Sequence, residues 1–161
     1  MIKLIFFKAI FALLSMKCAE ISGAGMILDA SYLASIGYTD QSQGISILDN
    51  ITSIDLNAFK GYTRLQAIYI YSDALQNLDM EVFENSISLQ SLYLYGSHLT
   101  QLTNAKKLTF YNLLVLEIPK SKIKFDQNMI NGFPNLTLAV LQFSGIYLFY
   151  NYYSGIKNIL N

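Results

Sequence analysis

The chain has 161 residues, a length typical of one folding unit, and eleven lysines and arginines balance eleven aspartates and glutamates. Hydrophobic residues make up 53% of the chain and charged residues 14%, which excludes a disordered polyelectrolyte and a basic nucleic-acid-binding domain. With one cysteine and one histidine, the chain cannot form a disulfide framework or a Cys/His zinc cluster by itself. The composition predicts a protein with a large apolar core.

The amino terminus resembles a secretory leader. Lys3 precedes an apolar run over residues 4–14 that is interrupted once, by Lys8. This run suits the hydrophobic region of a signal peptide and is shorter than the roughly 20 residues of a membrane-spanning helix. We predict a signal peptide over residues 1–18, with cleavage as late as residue 24, and a secreted protein. A buried amphipathic first helix is the alternative.

Residues 19–44 are predicted to cap the core at its amino-terminal end. No cysteine follows Cys18, so no disulfide can hold the cap, and apolar packing must attach it to the core. We expect a short helix or a hairpin, with six apolar residues covering the core: Met26, Ile27, Leu28, Tyr32, Leu33 and Ile36.

From residue 45 to residue 148 the chain is similar to itself at an offset of 24. Apolar residues recur at this offset in the pairs Phe59 and Phe83, Leu65 and Leu89, Ile68 and Leu92, Ile70 and Leu94, Leu75 and Leu99, and Leu78 and Leu102. A third copy includes Leu113, Leu116, Ile118 and Ile123. The outer copies are looser: Ile45 and Ile47 stand one residue out of step, and a last copy at a step of 25 takes in Leu138, Leu141, Phe143 and Leu148.

The unit Leu89-x-x-Leu92-x-Leu94-x-x-Ser97-x-Leu99 resembles the leucine-rich-repeat family. The resemblance implies an α/β solenoid of about four to five repeats, with a parallel β-sheet on its concave face and irregular or short helical turns on its convex face. With Phe59 and Phe83 in the second half of the unit, the repeat resembles the 24-residue extracellular subtype. The leader, the period and the tyrosine-rich composition resemble those of the short secreted immune proteins of insects. Residues 149–161 are left as a carboxy-terminal tail.

Strand alternation predicts which side chains face the core of such a solenoid. Ile70, Leu94 and Ile118 should point inward, because successive strand residues point to opposite faces. The family's asparagine, which bonds buried backbone groups between coils, is replaced here by Asp73, Ser97 and Ser121. These side chains offer fewer donors and acceptors than an amide, so we expect a less rigid solenoid.

The outward strand positions carry the candidate binding residues. Tyr69 should lie beside Tyr93, and Tyr71 beside Tyr95, with Glu117 on the next strand. Tyrosine gives a large contact area with little rotamer entropy to lose, so we predict that these five residues bind a protein partner. A cross-strand ladder that only stabilises the sheet is the alternative.

Two acceptor patterns for N-glycosylation are present, at Asn50 and Asn135. Both are meaningful only if the chain is exported. Residues 127–156 contain no charged side chain, which we interpret as a degenerate last repeat, with membrane attachment as the alternative.

No catalytic constellation is recognisable. His98 is the only imidazole, it is expected at the surface, and no aspartate stands at a spacing that would orient it as a base. We predict no enzyme activity, no cofactor, no metal and no nucleic-acid binding. The predicted function is a secreted protein-recognition or adaptor module in innate immunity. The alternatives are an assembly protein that forms homo- or hetero-oligomers through an open solenoid end and a membrane-attached receptor fragment.

Overall fold

A computed structural model describes residues 25–95, 98–105, 107–119, 121–123, 129, 131–143 and 146–150. The predicted leader and nearly all of the predicted tail lie outside the described residues. In chain order the elements are β1 (Met26–Leu28), α1 (Ala30–Ser35), β2 (Gly44–Ile47), β3 (Ile51–Ile54), β4 (Ala67–Tyr71), β5 (Asn77–Asp79), a 3₁₀ helix (Met80–Phe83), β6 (Ser91–Tyr95), β7 (Gln101–Thr103), β8 (Val115–Ile118), β9 (Leu138–Phe143) and β10 (Ile146–Tyr150).

The main sheet, formed by β2, β4, β6, β8, β9 and β10, is the spine of the fold. Its first five strands run parallel in this order, and β10 closes the sheet antiparallel to β9. Each parallel strand is the next turn of a coil, because the chain leaves the sheet and returns to it one strand further on. The predicted leucine-rich-repeat solenoid is therefore the fold observed.

Alternate residues of the main sheet form the core, as predicted. Ile68, Leu92 and Leu116 occupy matching positions on β4, β6 and β8, and each is 0% exposed. Ile70, Leu94 and Ile118 form a second buried column beside them. Each coil thus buries its apolar face against the coils next to it, which makes neighbouring coils interdependent for stability.

Backbone hydrogen bonds link the coils at the start of each strand. The carbonyl of Gln43 accepts from the N–H groups of Gln66 and Ala67, at 2.8 and 3.1 Å. One coil later, the carbonyl of Gln66 accepts from the N–H groups of Gln90 and Ser91. Two coils later, the carbonyl of Gln90 accepts from those of Leu114 and Val115. This repetition aligns the strands in register.

The side of the coil opposite the main sheet carries more β-structure than predicted. β1 pairs with β3, and β5 pairs with β7, in two short parallel sheets. The 3₁₀ helix follows β5, and the carboxylate of Asp79 accepts from the N–H of Glu81 at 3.0 Å. The buried rings of Phe59 and Phe83 stack with their centroids 5.3 Å apart. Short turns and short strands together complete the predicted convex side.

The amino-terminal cap combines a strand with a helix of six residues. Leu28 and Leu33 are 0% exposed and seal the first coil. The prediction was wrong for two of the six apolar residues, since Ile27 is 57% and Ile36 is 42% exposed. Ile27 lies between inward-facing neighbours on β1, so strand alternation turns it outward. Ile36 is the C-cap residue that follows α1, beyond the face that meets the core.

A tyrosine completes the amino-terminal edge of the main sheet. The hydroxyl of Tyr38 donates to the carbonyl oxygen of Ser46 at 3.1 Å and accepts from its backbone N–H at 2.8 Å. Ser46 lies on β2, which has β4 on one side only. One side chain therefore satisfies both backbone groups that an additional strand would use at this position.

The last coil is shorter than predicted. Leu116 pairs with Ala139, and Ile118 pairs with Leu141, so the step is 23 residues and the predicted step of 25 is wrong. Leu136, only 5% exposed, takes the place that was predicted for Leu138. Leu148 does not continue the coil but lies opposite Leu141 on the antiparallel strand β10. The signal that fits the observed step is the recurrence of Phe-x-Asn-Leu at residues 110–113 and 133–136.

A serine takes the position predicted for Asp73. Asp73 is exposed, whereas the preceding Ser72 is 2% exposed. Its Oγ donates to the carbonyl of Ile51 at 2.6 Å and accepts from the N–H of Ala74 at 3.2 Å. A buried carboxylate would need several donors, while one hydroxyl donates and accepts here. Ser121 is buried as expected, and Ser97 lies outside the described residues.

Candidate functional site

The five predicted binding residues lie together on the outward face of the main sheet. Tyr69 pairs with Tyr93 and Tyr71 with Tyr95 across β4 and β6, and Tyr93 pairs with Glu117 of β8. The predicted neighbours are therefore confirmed as neighbours. We call this group, Tyr69, Tyr71, Tyr93, Tyr95 and Glu117, the tyrosine face.

The rings of the tyrosine face are ordered by the spacing of the strands. Tyr69 and Tyr93 stack with centroids 4.4 Å apart and planes only 4° from parallel. Tyr93 and Tyr95, two residues apart on β6, have centroids 6.1 Å apart and planes at 9°. Parallel strands lie about 4.8 Å apart, so rings at matching positions meet face to face. The face presents several rings in nearly one orientation.

A hydrogen bond joins the rings to the carboxylate. The hydroxyl of Tyr95 donates to Oε2 of Glu117 on the neighbouring strand. Burial raises the pKa of Tyr95 above its ordinary value, and the bond to Glu117 and the charge of Glu117 raise it further. Burial, followed by the influence of Tyr93 and Glu117, raises the pKa of Tyr69 to about 12. Both hydroxyls therefore keep their protons at neutral pH.

The tyrosine face is accessible and nearly uncharged. Tyr71 is 40% exposed and the other four residues are half-buried. Glu117 is the only charged residue at the outward positions of β2, β4, β6 and β8. A ligand on this face would meet ring faces, hydroxyl groups and one carboxylate. Such a surface can accept hydrogen bonds from donors and attract a cation over its rings.

The two predicted glycosylation sites differ in accessibility. Asn50 is exposed immediately before β3. Asn135 is also exposed, but its Nδ2 donates to the carbonyl of Tyr111 in the preceding coil at 2.8 Å. The hydroxyl of Thr137, the third residue of that pattern, donates to the carbonyl of Leu114 at 2.9 Å. The amide that would carry sugar is free of such a bond only at Asn50, as far as the described residues extend.

Several polar side chains that link coils were not predicted. Asn112 donates from Nδ2 to the carbonyl of Ile87 at 2.7 Å, and Asn135 repeats this bond one coil later. Asn104 donates to both carboxylate oxygens of Asp79 at 3.0 and 2.8 Å. The separation of Asn112 and Asn135 by 23 residues, each before a leucine, is the sequence signal that identifies the first pair.

The contact described for the single histidine is to a backbone carbonyl. His98 is exposed, and its Nδ1 lies 3.2 Å from the backbone carbonyl oxygen of Asp73. In the part of the chain that the structure describes, no three His, Cys, Asp or Glu residues could together hold a metal ion. The described residues also include no helix with the length and apolar character needed to cross a membrane.

The sequence matches a known leucine-rich-repeat family. A family model described as a BspA-type leucine-rich-repeat region matches residues 37–159 in six copies. No curated protein matches the chain significantly. A solved structure similar to this chain is internalin C2 from Listeria monocytogenes, at 20% identity and a TM-score of 0.46. That similarity covers 60% of this chain and 40% of the internalin chain. The 24-residue extracellular subtype and the likeness to insect immune proteins stay predictions.

Proposed function

Because the chain belongs to the BspA-type leucine-rich-repeat family, we propose that it is a recognition module that binds a protein partner through the tyrosine face. Leucine-rich-repeat proteins generally mediate protein–protein interaction. The proposal adds the face and the residues that carry the contact.

The stacked rings of Tyr69 and Tyr93, half-buried on the outward face, are the observation that supports this proposal most directly. Rings that are already fixed lose little conformational entropy when a partner covers them. Tyrosine is also enriched among the residues that dominate binding energies at protein interfaces. A ladder that served only the sheet would not need the exposure of Tyr71 at its edge.

Glu117 indicates the chemistry of the partner. It is the single charge at the outward positions of β2, β4, β6 and β8, and it lies beside Tyr93 and Tyr95. A lysine or arginine of the partner can pair with this carboxylate while its charge lies over a tyrosine ring. We therefore propose a partner segment that is rich in hydrogen-bond donors and carries at least one basic side chain.

The proposal includes export and the absence of catalysis. Export is supported by the apolar run of residues 4–14 behind Lys3. The narrower assignment to innate immunity rests on the leader, the period and the tyrosine-rich composition. Mass spectrometry of protein recovered from culture medium tests export. A mature start between residues 19 and 25, with sugar on Asn50 or Asn135, is the expected result, and an intact leader in intracellular protein contradicts export.

Comparative capture tests the binding face. Proteins retained from culture medium by the native chain are compared with those retained by a Tyr93→Ala/Tyr95→Ala variant and by a Leu56→Ala control. Leu56 is 54% exposed and lies outside the main sheet, so this control removes exposed apolar surface elsewhere. A partner of the tyrosine face is retained by the native and control chains and lost, by tenfold or more, from the double variant.

Direct binding of that partner, once purified, decides between recognition and assembly. Weaker binding by the double variant and by Glu117→Lys, with an unchanged oligomeric state, supports the proposal. Undiminished partner binding by the double variant contradicts it. If light scattering shows an oligomer in the native chain and a monomer in the double variant, the tyrosine face serves self-assembly instead.

A further inference from the structure

One serine interrupts a series of aromatic residues along the solenoid. Leu65, Leu89, Leu113 and Leu136 lie at matching positions shortly before the main-sheet strands of four successive coils, and we call them the turn leucines. The residues three positions before them are Tyr62, Ser86, Phe110 and Phe133, respectively. In each coil the N–H of the turn leucine bonds to the carbonyl of this residue, at 3.2, 3.0, 3.3 and 3.2 Å for Leu65, Leu89, Leu113 and Leu136. Since the backbone turn is the same, Ser86 occupies a position where the other coils carry a ring.

A cavity of about 190 Å³ lies beside Ser86. We call it the Ser86 cavity. Buried side chains of Phe83, Leu89 and Phe110 line it, together with the half-buried Leu108. Apolar cavities of about 150 Å³ are large enough to bind benzene. The Ser86 cavity therefore has the size and most of the lining that one aromatic ring requires.

The hydroxyl of Ser86 is polar, buried and available. Ser86 is 3% exposed, and among the described residues no protein group hydrogen-bonds its Oγ. Buried polar groups are nearly always hydrogen-bonded, because the hydrogen bonds to water that they lose on burial must be replaced. Ser72 is buried to a similar degree, and its Oγ donates to the carbonyl of Ile51 and accepts from the N–H of Ala74. A ligand for this cavity should thus offer a hydrogen bond at its inner end.

The rim of the Ser86 cavity is open to solvent and mixes the apolar residues Ile87 and Tyr111 with the polar residues Glu84, Thr109 and Asn112. Ile87 and Tyr111 both line the cavity and are 67% exposed, which is unusual for such large side chains. Nδ2 of Asn112 donates to the carbonyl of Ile87 at 2.7 Å and so links the coil that contains Tyr111 to the coil that contains Ile87.

We propose that the Ser86 cavity binds a phenolic ring, packed between Phe83 and Phe110 with its hydroxyl bonded to Oγ of Ser86. A phenol combines an aromatic ring with a group that both donates and accepts, and a serine hydroxyl does the same. The ring fills the position that Tyr62 and Phe110 occupy in the flanking coils. The ligand is either a free small phenol or a tyrosine side chain of a polypeptide, and the two share this chemistry.

Titration of the full chain with p-cresol, followed by two-dimensional NMR, tests the site. Saturable shifts at residues around Ser86 are expected. Ser86→Phe fills the cavity as Phe110 does one coil later and should abolish binding. Ser86→Ala keeps the cavity and removes one hydrogen bond, so p-cresol should bind about tenfold more weakly while toluene binds unchanged. Gln41→Ala, at an exposed residue before β2 that does not line the cavity, is the control.

Two results overturn the proposal. Absence of saturable p-cresol binding to the native chain overturns it, as does equal binding by a folded Ser86→Phe variant. If thermal unfolding shows that Ser86→Phe does not fold, Ser86→Val fills the cavity partly and should still weaken p-cresol. N-acetyl-tyrosinamide separates the two sources: binding like that of p-cresol indicates a tyrosine side chain, and failure to bind indicates a free phenol.

Discussion

The two faces of the main sheet are built from the same strands and follow different rules. The inward column consists of large aliphatic side chains, Ile68, Leu92 and Leu116, and each is 0% exposed. The outward column beside it changes from Tyr69 and Tyr93 to Glu117. Packing between coils limits the inward residues to large aliphatic side chains, whereas the outward residues are limited only by their neighbours on one face. Variation on the outward face is therefore where specificity can lie.

The largest test of this contrast compares two adjacent residues of β6. Leu92→Ala should lower the free energy of unfolding by about 2–5 kcal/mol, because it leaves a cavity between three coils. Tyr93→Ala should cost less, because its ring is half-buried. Urea unfolding of both variants gives the two values. Equal losses would mean that the outward rings are as much a core as the inward leucines.

The second test concerns the hydroxyl that takes the asparagine position. Ser72→Ala leaves the carbonyl of Ile51 without its 2.6 Å bond and should cost about 1–3 kcal/mol in unfolding free energy. Asp73→Ala is the matched control, since Asp73 is exposed and adjacent, and it should change stability by less than about 0.5 kcal/mol. A larger loss from Asp73→Ala would restore the role that sequence assigned to the aspartate.

The stacking on the outward face has a smaller expected energy. A double-mutant cycle with Tyr69→Leu and Tyr93→Leu, measured by thermal unfolding, should give a coupling of about 0.5–1.5 kcal/mol in favour of the paired rings. Leucine keeps apolar contact while removing the ring. A coupling near zero would show that the 4.4 Å stack contributes to shape and little to stability.

The smallest effect is confined to alkaline solution. The pKa of Tyr69 is raised to about 12, so the folded chain holds this proton after the unfolded chain has lost its own. Stability from this group is complete below pH 10 and declines as the pH rises from about 10 to 12. Tyr69→Phe should reduce this decline in unfolding experiments. An unchanged decline would assign the pH dependence to other groups, among them Tyr95, whose pKa is also raised.

How much could be predicted from the sequence depends on how strictly packing limits each position. The inward strand positions recur at a step of 24 and are all buried as predicted, because only large apolar residues fit there: Ile68, Ile70, Leu92, Leu94, Leu116 and Ile118. The neighbours on the tyrosine face followed from the same register. The last coil was predicted at the wrong step, because Leu138 and Leu136 both fit the apolar pattern and only the turn at residues 133–136 distinguishes them.

Polar details were the least predictable part. Ser72 and Asp73 are adjacent, and the family pattern alone could not show which side chain is buried. The Ser86 cavity was missed because a serine in a surface turn has no distinctive sequence signal. Only comparison with Tyr62 and Phe110, at steps of 24 on either side, shows that a ring is replaced there.

The hydroxyl of Tyr38 also protects part of the amino-terminal edge of the main sheet from pairing with another chain. Its two bonds occupy both backbone groups of Ser46, so another chain could pair with this residue only by displacing the ring. Tyr38→Phe removes both hydrogen bonds and leaves the backbone N–H and carbonyl of Ser46 open to a neighbouring molecule.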